Sequence, residues 1–420
     1  MSSFIPPPGT SDIFPDEIYR WENIKNSADN IFSLYGFGEI RTPIFEYTEI
    51  FQKSIGSETE VVKKEMYTFE DRGGRSLTLR PEGTAGVMRA LMKTDAPNGG
   101  DVRVYYLGPM FRGERPAAGR KRQFHQIGVE VVGKIGPEFD AECITMLAHY
   151  LRELKITGAK ILINTRGTAE DRGPAEKALR DYFLAKIETM CADCQERINN
   201  NVWRILDCKS MQCQEHIINS PKIINLFSQN TQDYFAKVVE ILAKQRIDFS
   251  IEDRLVRGLD YYEHTVFEIT HDGLGGQNAI AGGGRYRILV PGSNKPLIGV
   301  GFAAGVERLI MVQDACHADI AKQKKPAIFI ASLGYNAKLE NMKLALELRC
   351  NNIPVVIELE DKSMKAQMRS AGKFDIKAIL TRGDSELEKN TVVLKNLNTG
   401  EQKEIAIINV VEEMKILFEV

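Results

Sequence analysis

A chain of 420 residues with 43% hydrophobic and 27% charged side chains has an ordinary globular composition and enough length for two or three domains. The formal net charge of -2 gives no overall basic footprint, so any polyanion must be held by a local patch. No apolar run reaches the roughly 18 residues of a membrane span, and the Pro-rich start lacks the basic and apolar regions of a secretory leader. Seven cysteines in such a chain suit a reducing compartment, so the expected location is the cytoplasm.

From Asp16 to Tyr35 apolar residues recur at helical spacing, including Trp21, Ile24, Ala28, Ile31 and Phe32, until Gly36 and Gly38 stop the helix. Glu39 to Glu46 reads as a strand interrupted by Pro43, which cannot donate a ladder hydrogen bond, so it belongs at an edge or bend. Met66–Glu70 and Ser76–Arg80 flank Asp71-Arg-Gly-Gly-Arg75 and read as a hairpin. Val102–Leu107 and Phe124–Val132 are further strands, joined by a long polar loop and economically paired antiparallel. Asp171 to Gln245 has helical periodicity and reads as an inserted helical domain. Strand-and-glycine texture returns from Ile251 to Val312, and Lys322 to Lys325 is a basic linker. Beyond it, 327–332, a helix from Asn336, 354–357, a helix from Ser363 and 378–381 alternate in βαβαβ order, a separate α/β domain.

Two stretches carry most of the chemistry. In Arg112 to Glu130, strand, basic loop and strand, Arg112 and Arg120 offer guanidiniums to phosphates, and Phe124 offers a ring face to a base. Strand alternation puts Phe124, Gln126, Gly128 and Glu130 on one face, polar where a core strand would be apolar, and such a face needs a ligand or a network. Arg254-Leu-Val-Arg257-Gly-Leu-Asp260-Tyr261-Tyr262 sets two guanidiniums, a glycine, a carboxylate and two phenols together; if it is a strand, the two tyrosines point to opposite faces. Glu82, just before a helix, is by itself read as a carboxylate stabilising the helix N-terminus. Gly299-Val-Gly301-Phe-Ala-Ala-Gly305 lacks the spacing of a dinucleotide fingerprint.

Phe111 to Glu130 resembles motif 2 of class II aminoacyl-tRNA synthetases, Gly38 to Phe45 motif 1, and Val300 to Arg308 motif 3. Arg254–Tyr262 and Ala281-Gly-Gly-Gly-Arg-Tyr286 resemble the two histidine motifs of the histidyl-tRNA synthetase family. The resemblance implies an α+β catalytic domain with a mixed, mainly antiparallel sheet, a helical insertion and a C-terminal α/β domain. The expected layout is catalytic 1–170, insertion 171–250, catalytic again 251–321 and anticodon-binding 326–420. It implies activation of L-histidine by ATP with Mg2+, transfer to tRNA-His, and a homodimer through motif 1. Arg257 and Arg112 would be catalytic. Arg112, Glu114, Arg120, Phe124 and Arg308 would hold ATP. Glu82, Thr84, Arg112, Gln126, Glu130, Arg257, Tyr261, Tyr262 and Tyr286 would hold histidine. Arg254 and Asp260 keep a structural reading, as does Tyr261 beside its place in that set. Where the family usually has aspartate after its second histidine motif, this chain has Arg287. In the terminal domain Lys362, Lys365, Arg369 and Lys373 fall on one helical stripe, placed for tRNA contact. The cysteines Cys191, Cys194, Cys208 and Cys213 could hold a structural zinc, but the wider spacing of the second pair and the family's habits do not favour it. The alternative from another class is a non-catalytic, histidine-binding regulatory subunit of ATP phosphoribosyltransferase.

Overall fold

The computed structural model describes residues 5–56, 59–256, 261–275, 278–320 and 327–418, within two compact units, 1–321 and 322–420. The linker 322–325 and the residues Arg257 and Asp260 lie outside the described residues.

In the first unit the helix Ile18–Leu34 buries Ile24, Ala28, Ile31 and Phe32, the stripe its spacing predicts. Gly36, at φ +82°, turns the chain out of the helix. The strand expected around Pro43 is two strands in two sheets. Gly38–Glu39 runs parallel to Val102–Phe111 at one edge of the main sheet, while Phe45–Tyr47 pairs with Ser76–Leu79 at the edge of a small sheet completed by Thr68–Glu70. Proline sits between them, where no ladder bond is asked of it.

Among the described residues, eight strands form the main sheet in the order 38–39, 102–111, 123–132, 297–305, 279–288, 262–270, 160–165, 250–251. Neighbours are antiparallel except for the outermost pair at each edge. The central strands are buried on both faces, one in the main apolar core and the other around the pocket and a second apolar cluster. Ile127, Val129 and Val131 join Phe267, Val300 and Phe302 in a core shared with the helices Ile18–Leu34, Pro137–Glu153 and Val306–Ala315. The opposite face presents Gln126, Gly128 and Glu130 beside Tyr106, Tyr262 and Tyr286. Each large apolar side chain taken from water in the main core contributes roughly 1.5–3 kcal/mol. That stability permits part of the other face, beside the apolar cluster of Val132, Val266 and Leu297, to stay polar.

The expected insertion packs differently at its end. Residues from Ala175 to Phe227 share a small core of their own, but the helix Gln229–Lys244 sends Phe235, Val238 and Leu242 into the main core. That helix is amphipathic toward the sheet's helical layer, a partner its periodicity alone does not identify.

In the second unit the strands 327–332, 355–357 and 376–382 are parallel, as the alternating pattern requires. Two more strands, Thr391–Asn396 and Gln402–Ala406, add antiparallel to the far side, and the sheet order is 355–357, 327–332, 376–382, 391–396, 402–406. The sheet is therefore mixed, not wholly parallel.

Candidate active site

Three strands of the main sheet build a pocket floor from acceptors and glycines. Glu130 lies opposite Gly301 in the next strand, and Tyr286 opposite Gly299. A Cβ on Gly301 would sit 2.1 Å from Glu130 Oε2, and one on Gly299 2.5 Å from the Tyr286 hydroxyl. Glycine at these positions is thus the space in which the acceptors lie. The Tyr286 hydroxyl donates to Glu130 Oε2 at 2.7 Å. Burial pushes the Glu130 carboxyl up to about 8, against the opposing pull of that hydrogen bond.

Glu82 sits beside this floor and serves the helix Thr84–Leu91, accepting from the backbone N–H of Thr84 at 2.8 Å and of Ala85 at 2.7 Å. Both of its sequence readings therefore meet in one group, a capping carboxylate that also faces the cavity. Burial raises its pKa, while those N–H donors and Arg112 act the other way. Gln126 offers a buried side-chain oxygen with no hydrogen-bond partner among the described residues. Two carboxyls and an unpaired amide oxygen make this end of the pocket a receptor for donors.

The mouth has the opposite polarity. Arg112 donates to the Pro81 carbonyl at 2.9 Å and stands 5.3 Å from the centre of the Phe124 ring. Arg120 is ion-paired with Glu114, and Arg308 donates to the Gly119 carbonyl at 2.9 Å across the base of the loop. The Arg308 pKa is lowered by burial and then by the charges of Arg120 and Arg112. Three guanidiniums converging on one mouth suit a polyanion, whose charge would offset the burial of Arg308.

A cavity of about 250 Å³ joins the two ends. Its lining brings together Glu82, Thr84, Arg112, Glu114, Arg120, Phe124, Gln126, Glu130, Tyr261, Tyr262, Tyr286 and Arg308, whose expected roles came from separate stretches of sequence. Arg257 lies outside the described residues. Tyr261 and Tyr262 do not diverge to opposite faces. The strand begins only at Tyr262, so Tyr261 stands in the preceding turn, and both rings line the cavity with centroids 4.7 Å apart. Arg254 is paired with Glu252 at 3.1 Å. Arg287 is exposed and reaches both oxygens of the buried Glu263 at 3.1 Å, so its positive charge serves a carboxylate outside the cavity lining.

Two positioning residues escape the sequence reading. Glu307, in the first turn of the helix Val306–Ala315, accepts from the His125 backbone N–H at 2.9 Å and ties strand Gln123–Val132 to the residue before Arg308. Tyr106 lies under the floor, where a Cβ on Gly83 or Gly128 would strike its ring or hydroxyl at 2.2 and 2.5 Å. A pair of glycines on different elements facing one aromatic ring leaves no periodic signal.

In the terminal unit Lys365, Arg369 and Lys373 are exposed along the helix Met364–Ala371 and just beyond it, and Met364, Met368 and Ala371 pack inward. Lys362 is held by Glu358 at 3.2 Å and Glu360 at 3.0 Å. The four insertion cysteines are all reduced and adjacent.

An antiparallel sheet of this order, with arginines on a strand–loop–strand and a glycine-lined acceptor floor, defines the catalytic domain of a class II aminoacyl-tRNA synthetase. Residues 9–309 match the family model "Histidyl-tRNA synthetase", and 327–417 match "Anticodon binding domain". The chain belongs to the histidyl-tRNA synthetase family. It is 43% identical over 415 residues to a histidine–tRNA ligase of Halothermothrix orenii, covering 98% of this chain and 99% of that one. It is 43% identical over 401 residues to one of Thermosipho melanesiensis, covering 94% and 95%. It is also similar to the crystal structure of apo histidyl-tRNA synthetase from S. aureus, with TM-score 0.81, 33% identity and coverage of 98% and 100%.

Proposed function

We propose that this chain is a histidine–tRNA ligase, which activates L-histidine with ATP and passes the histidyl group to the 3′ end of tRNA-His. The observation that carries this reading is the polarity of one pocket: acceptors at its floor, guanidiniums at its mouth. An amino acid presents an ammonium and, in histidine, two ring nitrogens; ATP presents a triphosphate. Glu82, Thr84 and Gln126 take the ammonium, while Glu130 with Tyr261, Tyr262 and Tyr286 takes the ring. A pocket that pairs both ring nitrogens rejects apolar analogues strongly, because its own buried polar groups would be left unpaired.

In the first step the substrate carboxylate attacks the α-phosphorus and pyrophosphate leaves. Two anions approach each other, so the protein's contribution is positive charge and alignment. Arg112 and Arg257 are assigned to that point, Arg120 and Arg308 to the outer phosphates, and Phe124 to the base. Glu114 is ion-paired with both Arg112 and Arg120 and so bridges the two guanidiniums. Magnesium arrives with the nucleotide and takes oxygen donors.

The test is histidine-dependent exchange of pyrophosphate into ATP. The unmodified protein should exchange, and Arg257→Ala should lose about 10²–10³-fold, the usual effect of removing one transition-state donor. No exchange by the unmodified protein would point instead to the histidine-binding regulatory subunit. The pairing of catalytic arginines with a terminal anticodon-binding domain speaks against that alternative.

Three further readings complete the proposal. Ile44, Phe45, Tyr47 and Phe69 leave an exposed apolar cluster at the small sheet beside motif 1, which suits a homodimer. No described helix is long and apolar enough to cross a membrane, and the cytoplasm is the proposed location. The exposed Lys365, Arg369 and Lys373 are assigned to tRNA. Replacing all three by glutamine should raise the KM for tRNA about tenfold and lower the salt slope of binding by about 2–3, with pyrophosphate exchange intact. Unchanged aminoacylation kinetics in that variant would remove the assignment.

A further inference from the structure

We infer that Cys191, Cys194, Cys208 and Cys213 form a structural zinc site that holds the inserted helical region together. Cys191 caps the helix Ala192–Asn200 and Cys194 lies in its first turn; Cys208 follows the turn Val202–Ile205, and Cys213 lies in the first turn of the helix Met211–Ile218. The wider spacing of the second pair, which by itself argues against a metal, is the length the chain needs to pass from that turn into the next helix.

All four sulfurs lie within 4.8 Å of one another, with Cys191 and Cys208 at 3.7 Å and Cys194 and Cys213 at 3.8 Å. A tetrahedron of thiolates about 2.3 Å from zinc has edges of about 3.8 Å. The same sulfurs accept backbone donors, from Cys191 N–H to Cys213 Sγ at 3.3 Å and from Ser210 N–H to Cys208 Sγ at 3.5 Å. Such donors, and the positive ends of two helices, stabilise thiolate over thiol. The surrounding core is small and includes Cys194, Cys208 and Cys213 themselves, so hydrophobic burial alone is a weak clamp here. Four thiolates without a cation would repel one another; zinc supplies the missing charge and cross-links two helices and a turn.

The test uses the full-length protein purified without chelators. Elemental analysis should find one zinc per chain, released when the thiols are blocked. Cys208→Ser and Cys194→Ser should each lose the zinc and become sensitive to protease within 185–228, while Cys350→Ser, which alters an exposed cysteine outside the cluster, should retain it. Because the serine variants can fail to fold, the stoichiometry of the unmodified protein decides independently. Exchange with cobalt should add strong near-ultraviolet thiolate-to-cobalt absorption. Absence of zinc together with no cobalt uptake overturns the site, as does iron in its place. So does a count of three thiols in the denatured protein instead of the chain's seven, which would mean that the four are paired as disulfides.

Discussion

Glu130→Gln should abolish the alkaline limb of the pH profile for histidine binding and weaken affinity by about 10–100-fold near neutral pH, in line with the loss of about 1.5–3 kcal/mol for a hydrogen bond to a charged group. The reason is proton count. The free histidine ring titrates near about 6.5, and burial holds Glu130 protonated up to about 8. Between those values a neutral ring and a neutral carboxyl meet with one proton to share, so binding can form an imidazolium–carboxylate pair without exchanging a proton with solvent. Below the window the ligand brings an extra proton; above it Glu130 has lost its own. Affinity in the unmodified protein should therefore be bell-shaped, and calorimetry in buffers of different ionisation enthalpy should show little net proton transfer on the plateau. The unliganded protein supplies a second readout. A carboxyl whose folded pKa is raised keeps a proton that the unfolded chain has lost, so stability falls as pH rises from the usual carboxylic value of 4.5 toward 8. Glutamine has no such dependence. The stability of the variant relative to the parent should rise from pH 5 to pH 8. Identical pH profiles in the two proteins would show that Glu130 does not touch the ring.

How much of this was legible beforehand differs by feature. The first helix, the hairpin and the strand Gln123–Val132 announce themselves through local periodicity, and the polar face of Phe124, Gln126 and Glu130 follows from alternation alone. The edge role of the Pro43 region follows from a missing donor, but its division between two sheets depends on partners far away in sequence. The helix Gln229–Lys244 looks like its neighbours in the insertion and differs only in what it packs against. The antiparallel strands 391–396 and 402–406 escaped because short strands after a parallel unit carry no sign of which edge they extend. Tyr261 misled because alternation was applied one residue before the strand begins. The ends of the pocket were assigned from resemblance; that a floor of glycines makes room for Glu130 and Tyr286 needs three strands in register.

Arg285 shows the same limit and gives the largest expected loss of stability. It stands in the glycine-rich stretch before Tyr286, and strand alternation sends the two side chains to opposite faces. Tyr286 reaches the pocket. Arg285 goes into the helical layer, where its side chain is 1% exposed and that of Asp140 is 0% exposed. Its Nε donates to Asp140 Oδ1 at 2.9 Å, and its other nitrogens donate to the carbonyls of Lys134 at 2.9 Å and Gly136 at 3.2 Å. Tyr234 donates to the second Asp140 oxygen at 3.0 Å. One ion pair therefore ties the strand that carries Tyr286 to the first turn of the helix Pro137–Glu153 and to the helix Gln229–Lys244. Asp140→Ala leaves a guanidinium buried without its counter-charge and should cost about 3–5 kcal/mol, read as a lowered urea midpoint. Asp140→Leu combined with Arg285→Met should recover much of that loss, since well-packed apolar replacements of a buried pair are often neutral. Catalysis separates anchoring from stability. In the double variant the strand is packed but no longer pinned by directional bonds, so the KM for histidine should stay raised while the KM for ATP changes little. Full recovery of histidine KM in the double variant would reduce Arg285 to core packing, and an unchanged urea midpoint in Asp140→Ala would contradict the buried pair itself.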